Sequence, residues 1–203
     1  VGMMNPMYMP RIKQNLIDSY DNEKVFKFLH IPVQSGSDKV LNDMKRGHTS
    51  QTFREIVNKT KEKFENFTIS TDIIVGFPSE TEEDFQRTIT LLNETKPDVV
   101  NLSKYSARPG TDAAELKQID AAEIKRRSKL IFEQINKISL ESNEKWIGWK
   151  GKVLFDEKTE EGIKGRNYAY KPISVDNEVK IGESHIVEIT NATRKRLIGK
   201  IAS

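Results

Sequence analysis

Ile73-Ile74-Val75 closes a candidate strand, residues 69–75, and is apolar on both faces. A strand buried on both sides belongs to a parallel sheet covered by helices, and few other arrangements accept it. The flanking sequence fits. Residues 1–5, 28–33 and 98–105 are further candidate strands, and residues 10–20 have the pattern of a helix. Ser37 precedes a short helix carrying Val40, Leu41 and Met44. Phe53, Ile56, Val57, Thr60 and Phe64 recur at helical spacing, as do Phe85, Ile89 and Leu92 behind a capping-box pattern at Ser79 and Glu82. Four strands joined by helices predict an α/β unit, either a parallel sheet or a partial (β/α) barrel.

A long helix follows. Asp120-Ala121-Ala122-Glu123 begins it, and Ile124, Ile131, Ile135 and Ile138 form its apolar stripe to about Glu144. From Trp149 the pattern turns to short β segments at residues 151–155, 165–170, 173–175, 185–190 and 197–201. Five such segments predict a small OB-like barrel. The chain therefore divides into residues 1–144, α/β with the connecting helix, and residues 145–203, all-β. Charge follows this division. Residues 145–203 hold 12 Lys/Arg against 8 Asp/Glu, whereas the whole chain carries only +3. A basic excess on a small barrel fits a nucleic-acid partner, and an ordinary lysine-rich surface equally well.

Composition excludes several chemistries. Cysteine is absent, so the chain offers no disulfide, no thiolate for zinc or an iron–sulfur cluster, and no cysteine nucleophile. His30, His48 and His185 are scattered and lack metal-ligand spacing. There is no G-x-S-x-G elbow, G-x-G-x-x-G loop or Walker loop. No apolar run approaches the ~18 residues of a membrane helix, so a cytoplasmic protein without a membrane partner is expected.

In a (β/α) architecture, ligands gather at the C-terminal ends of the strands. The loops there read Asn5-Pro6, then Pro32-Val33-Gln34-Ser35-Gly36-Ser37, then Gly76-Phe77-Pro78-Ser79-Glu80-Thr81, then Ser106-Ala107-Arg108-Pro109-Gly110-Thr111. Taken singly, each is a turn or a cap; four on one rim point to a ligand site. The Gln34 amide both donates and accepts, as a ribose or adenine edge requires. Gly36 and Gly76 would let a ligand approach the backbone. Ser37 and Ser79 would present helix N-termini to an anion. Asp72 needs a partner if buried, with Thr71 or a backbone N–H at hand. His30 reads as a hydrogen-bonded strand residue rather than a catalytic base.

Three blocks carry a family resemblance. Residues 28–37, followed by Val40-Leu41 and Met44-Lys45-Arg46, resemble the signature of the radical S-adenosylmethionine (SAM) methylthiotransferases. Asp72-Ile73-Ile74-Val75-Gly76-Phe77-Pro78 with Thr81 and Glu83-Asp84-Phe85 is similar to the next block, and Arg108-Pro109-Gly110-Thr111 to the third. The tail from about Lys145 resembles the TRAM domain, a small RNA-binding β-barrel. Gly2-Met3-Met4-Asn5-Pro6 with Tyr8 is most like the archaeal and eukaryotic branch. That branch converts N6-threonylcarbamoyladenosine at tRNA position 37 to its 2-methylthio derivative. Sister branches act on isopentenyladenosine in tRNA or on an aspartate of a ribosomal protein; a stand-alone RNA-binding module is the third alternative. The family's N-terminal domain and Cys-x3-Cys-x2-Cys loop have no counterpart in this sequence, Ser79 stands where Gly is usual, and Asp112 where Pro is common.

The resemblance implies an N-terminal portion of the same polypeptide, two 4Fe–4S clusters held there, and SAM as cofactor. It implies a deoxyadenosyl radical acting at C2 of the adenine, with sulfur insertion and a methyl group from a second SAM. Gln34, Ser35, Asp72, Gly76, Phe77 and Arg108 would line the SAM pocket. Arg166, Arg194, Lys195, Arg196 and Lys200 would contact the tRNA anticodon stem-loop. The chain alone is expected to be catalytically inert.

Overall fold

A computed structural model describes residues 2–159, 162–176 and 178–202. A parallel three-stranded sheet, in the order β1-β2-β3, consists of Phe28–His30, Thr68–Val75 and Val99–Lys104. Leu29 pairs with Ile69, and Ile73 with Leu102. The expected first strand reduces to one bridge, Met3 to His30, with Val1 outside the described residues.

Helices α1 (Met9–Ser19), α2 (Asp38–Asp43), α3 (Ser50–Lys63), α4 (Glu82–Thr95), α5 (Asp112–Glu115) and α6 (Ala121–Glu144) connect the strands and lead out of the sheet. Side chains alternate along a strand. Leu29, Ile69, Ile73 and Val75 thus enter one core with Phe53, Ile56 and Val57 of α3, Phe85, Leu91 and Leu92 of α4, and Ile131, Ile135 and Ile138 of α6. The opposite face carries Phe28, His30, Asp72, Ile74, Asn101 and Ser103, all half-buried or exposed. Ile74 therefore departs from the expectation of burial on both faces: helices cover only one.

The α4 cap lies two residues beyond the expected Ser79. Thr81 takes the Asp84 N–H and Asp84 answers with the Thr81 N–H, while Ser79 donates to Asp43 instead. The pattern failed because Thr81 and Asp84 are spaced for the same reciprocal bonds.

Strands β4 (Lys150–Thr159), β5 (Gly162–Arg166), β6 (Pro172–Val175), β7 (Ser184–Ala192) and β8 (Leu197–Ile201) close into a barrel in the order β4-β5-β6-β8-β7. Its core holds Val153, Phe155, Ile173, Val187 and Leu197. Five strands in a closed barrel match the expectation, but the second strand does not run to Tyr170. It ends at Arg166 because Asn167 Oδ1 accepts the N–H groups of Ala169 and Lys171, each at 3.0 Å, and folds residues 167–171 into a turn.

That turn fastens the barrel to the N-terminal end of the sheet. The Lys27 N–H donates to the Tyr168 carbonyl at 2.8 Å. Lys171, buried, donates to Asp98 Oδ1 at 2.8 Å, Asn143 Oδ1 at 3.0 Å and Ser142 Oγ at 3.2 Å. Asp98 also accepts the Ile69 N–H at 2.9 Å, so one carboxylate joins strand, helix and barrel.

Candidate functional site

The C-terminal ends of β2 and β3 open into a cleft of about 630 Å³, lined by Gln34, Met44, Arg46, Asp72, Phe77, Lys104, Tyr105 and Arg108 among others. Gln34 has a left-handed backbone, φ 72°. Its N–H donates to the Asp72 carbonyl at 2.9 Å and its carbonyl accepts the Ile74 N–H at 3.0 Å, which holds it there. A non-glycine residue in that region costs on the order of 1 kcal/mol, and such strain collects at functional sites. The residue is only 6% exposed, yet its side-chain amide has no partner among the described residues. It is an unused donor and acceptor facing the cleft.

Asp72 is partnered across the open face of the sheet. His30 Nε2 lies 2.8 Å from Asp72 Oδ1, and Asn101 Nδ2 donates to the same oxygen at 2.8 Å. Thr71, the expected partner, points the other way, taking the Val33 N–H and donating to the Ile31 carbonyl. His30 is thus the hydrogen-bonded strand residue expected, and Asp72 Oδ2 remains for a ligand. Phe77 is buried edge-to-face against Tyr105, with centroids 5.2 Å apart. Arg46, Lys104 and Arg108 bring three cations to this cleft against the Asp72 carboxylate.

Ser35 and Gly76 stand on the rim but turn their polar groups inward. Ser35 Oγ, fully buried, lies 3.3 Å from Thr88 Oγ1 and accepts the Ser37 N–H. The Gly76 N–H donates to Glu80 Oε2 at 3.0 Å. The expectation that glycine admits a ligand is corrected at two positions. A Cβ on Gly36 would stand 2.4 Å from the Arg87 carbonyl oxygen, and one on Gly76 2.7 Å from Ile124, so both admit a helix. The helix N-termini at Ser37 and Ser79 likewise offer no anion site. Ser37 caps α2 and donates to Asp84 at 2.6 Å, and α4 caps itself. Although burial pushes the other way, Ser37, Thr81 and Lys39 hold the Asp84 carboxyl well below the usual carboxylate range.

Sequence reasoning missed the pair that fixes this rim. Arg127 Nη1 donates to Glu80 Oε2 at 2.8 Å, both side chains buried, and Arg127 Nε to Glu123 at 2.7 Å. Burial pushes the Glu80 carboxyl upward, against the Arg127 hydrogen bond. Glu80 was visible only as a loop residue, and nothing in spacing links it to position 127.

The basic residues of the barrel do not form one patch. Arg194 Nη1 donates to Asn136 Oδ1 at 2.9 Å and its guanidinium lies over Phe132, so it is tied to α6 on the helix-covered side. The Arg196 N–H and carbonyl close a turn with Thr193, beside exposed Lys195. Lys200 is 3.9 Å from Glu188. Arg166 instead stacks on Tyr170, which packs against Phe28 on the open face. Tyr168 goes a different way, toward Trp146 and Trp149.

The cleft's donor set fits SAM: a free amide for a purine or ribose edge, a carboxylate oxygen for hydroxyls, and cations for a carboxylate. It does not fit an iron–sulfur cluster, since the chain has no cysteine and no group of metal-ligating side chains occurs among the described residues. Residues 2–92 match the radical SAM superfamily. A solved structure with a related fold is coproporphyrinogen III oxidase of Escherichia coli, a radical SAM enzyme, at TM-score 0.52 and 20% identity over 72% of this chain and 33% of that one. Among curated proteins, the chain is similar to the probable threonylcarbamoyladenosine tRNA methylthiotransferase of Archaeoglobus fulgidus, 45% identical over 207 residues, all of this chain and 48% of that protein. The corresponding protein of Pyrococcus abyssi is 44% identical over 209 residues, with 100% and 48% covered. The threonylcarbamoyladenosine tRNA methylthiotransferase of Caenorhabditis elegans is 36% identical over 206 residues, again covering 100% and 48%. The chain spans about half the length of these relatives.

Proposed function

We propose that the chain is part of a cytoplasmic radical SAM enzyme that methylthiolates C2 of N6-threonylcarbamoyladenosine at position 37 of tRNA. In this reading, residues 1–144 supply one wall of the SAM pocket, and residues 145–203 are a TRAM-type barrel that holds the anticodon stem-loop. The N-terminal portion of the polypeptide supplies the two 4Fe–4S clusters. One observation carries the reading: whole-chain similarity, at 36–45% identity, to archaeal and nematode proteins of that name.

SAM held here would supply a 5′-deoxyadenosyl radical on one-electron reduction by a cluster of the N-terminal portion, and a second SAM would supply the methyl group. The residues of this chain bind and orient. Gln34 pairs with an edge of the adenine or ribose through its free amide, from a backbone already fixed by two β-type hydrogen bonds. Asp72, steadied by His30 and Asn101, accepts a hydroxyl on Oδ2. Arg108 answers the carboxylate, and Phe77 forms the apolar wall. Ser35 and Gly76 act through the rim's shape. Arg166, Arg194, Lys195, Arg196 and Lys200 serve the RNA, with Arg194 also anchoring the barrel.

The test is nucleoside mass spectrometry of tRNA from a strain lacking the gene. Loss of the 2-methylthio derivative, with N6-threonylcarbamoyladenosine retained, is expected. An unchanged spectrum of that nucleoside overturns the assignment, and loss of methylthio from isopentenyladenosine moves it to the sister branch.

A further inference from the structure

At Gly76, strand β2 hands over to the loop that carries Phe77, and α6 holds this glycine from two sides. Gly76 has φ 84°, and a Cβ there would stand 2.7 Å from Ile124. Its N–H donates to Glu80 Oε2 at 3.0 Å, the same oxygen that takes Arg127 Nη1 at 2.8 Å. Arg127 Nη1 also donates to the Glu80 carbonyl at 3.0 Å, and the Glu80 N–H donates to the Phe77 carbonyl at 2.8 Å. The guanidinium thus plugs a closed loop of residues 76–80. Ile124 and Arg127 stand three residues apart on one face of the helix. Arg127 is fixed in turn: Nε donates to Glu123 Oε1 at 2.7 Å, and the guanidinium lies over Phe85, 5.6 Å from the ring centroid.

Stability alone does not ask for this arrangement. The Arg127 side chain is 6% exposed and that of Glu80 1%. Replacing so buried a pair with apolar side chains of the same volume is often neutral or better. What the charged fork adds is direction. A glycine at positive φ has no side chain to pack, so nothing intrinsic fixes the peptide on either side of it. With its N–H held by Glu80 and its Cα against Ile124, Gly76 delivers Phe77 in one orientation. Phe77 then lies against Tyr105 at the wall of the cleft.

We infer that Arg127, which lies outside the three family blocks, is a positioning residue for the nucleoside half of SAM: through Glu80 it fixes the Gly76–Phe77 peptide that forms one wall of the cleft. This rests on the SAM reading proposed above. Arg127 stays behind the loop and acts without touching the ligand.

The test uses the polypeptide that includes the N-terminal portion, with its clusters in place, and equilibrium dialysis against three probes: SAM, 5′-deoxyadenosine and methionine. The variants are Arg127→Met, Arg127→Lys, Glu80→Gln and, as a control on stability, Ile138→Ala, in the core toward the other end of α6. In Arg127→Met, Kd for SAM and 5′-deoxyadenosine should rise roughly tenfold or more while Kd for methionine stays unchanged. Arg127→Lys keeps the charge but loses the fork, and should raise the same two values roughly threefold or more. It reads out positioning even if Arg127→Met fails to fold. Glu80→Gln keeps an oxygen for both donors and should bind as the parent. Ile138→Ala should lower Tm and leave all three Kd values alone. Three results overturn the positioning role and leave the SAM reading standing: nucleoside affinity within about twofold of the parent in the Arg127 variants that fold, an equal fall for methionine, or an equal fall in Ile138→Ala. Glu80→Gln as weak as Arg127→Met overturns it too, since charge and not orientation would then be what matters. Failure of the unaltered polypeptide to bind SAM overturns the SAM reading itself.

Discussion

Replacing Lys171 with methionine should loosen the barrel from the sheet. The Lys171 side chain is 3% exposed and its partner Asp98 10%, so the pair is largely shielded from water. Removing the ammonium leaves a largely buried carboxylate with only Lys61, which it does not hydrogen-bond, as counter-charge, and breaking such a pair costs about 3–5 kcal/mol. Asp98 keeps the Ile69 N–H and the Ser142 hydroxyl, which places the loss at the lower end, about 3 kcal/mol. At roughly 2–4 °C per kcal/mol for a chain of this length, Tm should drop by about 6–12 °C. The assay is thermal unfolding by circular dichroism, with amide exchange of residues 167–171 as a local probe. Asp98→Asn in the same chain removes the stranded charge but keeps an acceptor for Ile69, and should recover at least half of the loss. A single variant within about 2 °C of the parent, or a double variant no better than the single, would refute the argument that this pair fastens the two units.

Four further outcomes follow from the rim and the barrel surface. Gly36→Ala should destabilise by about 1–3 kcal/mol in chemical denaturation, because its Cβ would collide with the α4 backbone at Arg87 and Thr88. Asp84, with its carboxyl held low in the fold, contributes stability above the ordinary carboxylate range that is lost as pH falls toward the lowered folded value. The acid limb of a pH–stability curve should therefore flatten in Asp84→Asn. Lys195→Ala should reduce the log–log salt slope of tRNA binding by just under one unit, measured by titration at several salt concentrations. Arg194→Ala should in addition lower Tm, since it loses its contact with Asn136.

Much of the architecture was legible because it rests on local periodicity. The strand at Thr68–Val75, the stripe of α6 and its cap at Asp120 lie within a residue of where spacing placed them. The errors occurred where a side chain decides between neighbouring alternatives: Thr81 instead of Ser79 as the α4 cap, and Asn167 ending β5 early. The rim was legible as a set of loops, but its internal division was not. Whether Ser35 faces ligand or helix depends on Thr88, 53 residues away. The Glu80–Arg127 and Asp98–Lys171 pairs span 47 and 73 residues and leave no periodic trace.

These two pairs also define what α6 does. Near its N-terminal end, Ile124 fills the space beside Gly76 and Arg127 grips Glu80, so the helix shapes the rim that carries Phe77. Near its C-terminal end, Ser142 and Asn143 take part in the Lys171–Asp98 hub, and the Asn143 amide donates to the Thr193 carbonyl of the barrel at 2.8 Å. A helix of 24 residues is about 36 Å long, so rim and barrel hang from opposite ends of one rigid rod. The barrel meets the sheet at the N-terminal ends of its strands and the cleft opens at the C-terminal ends.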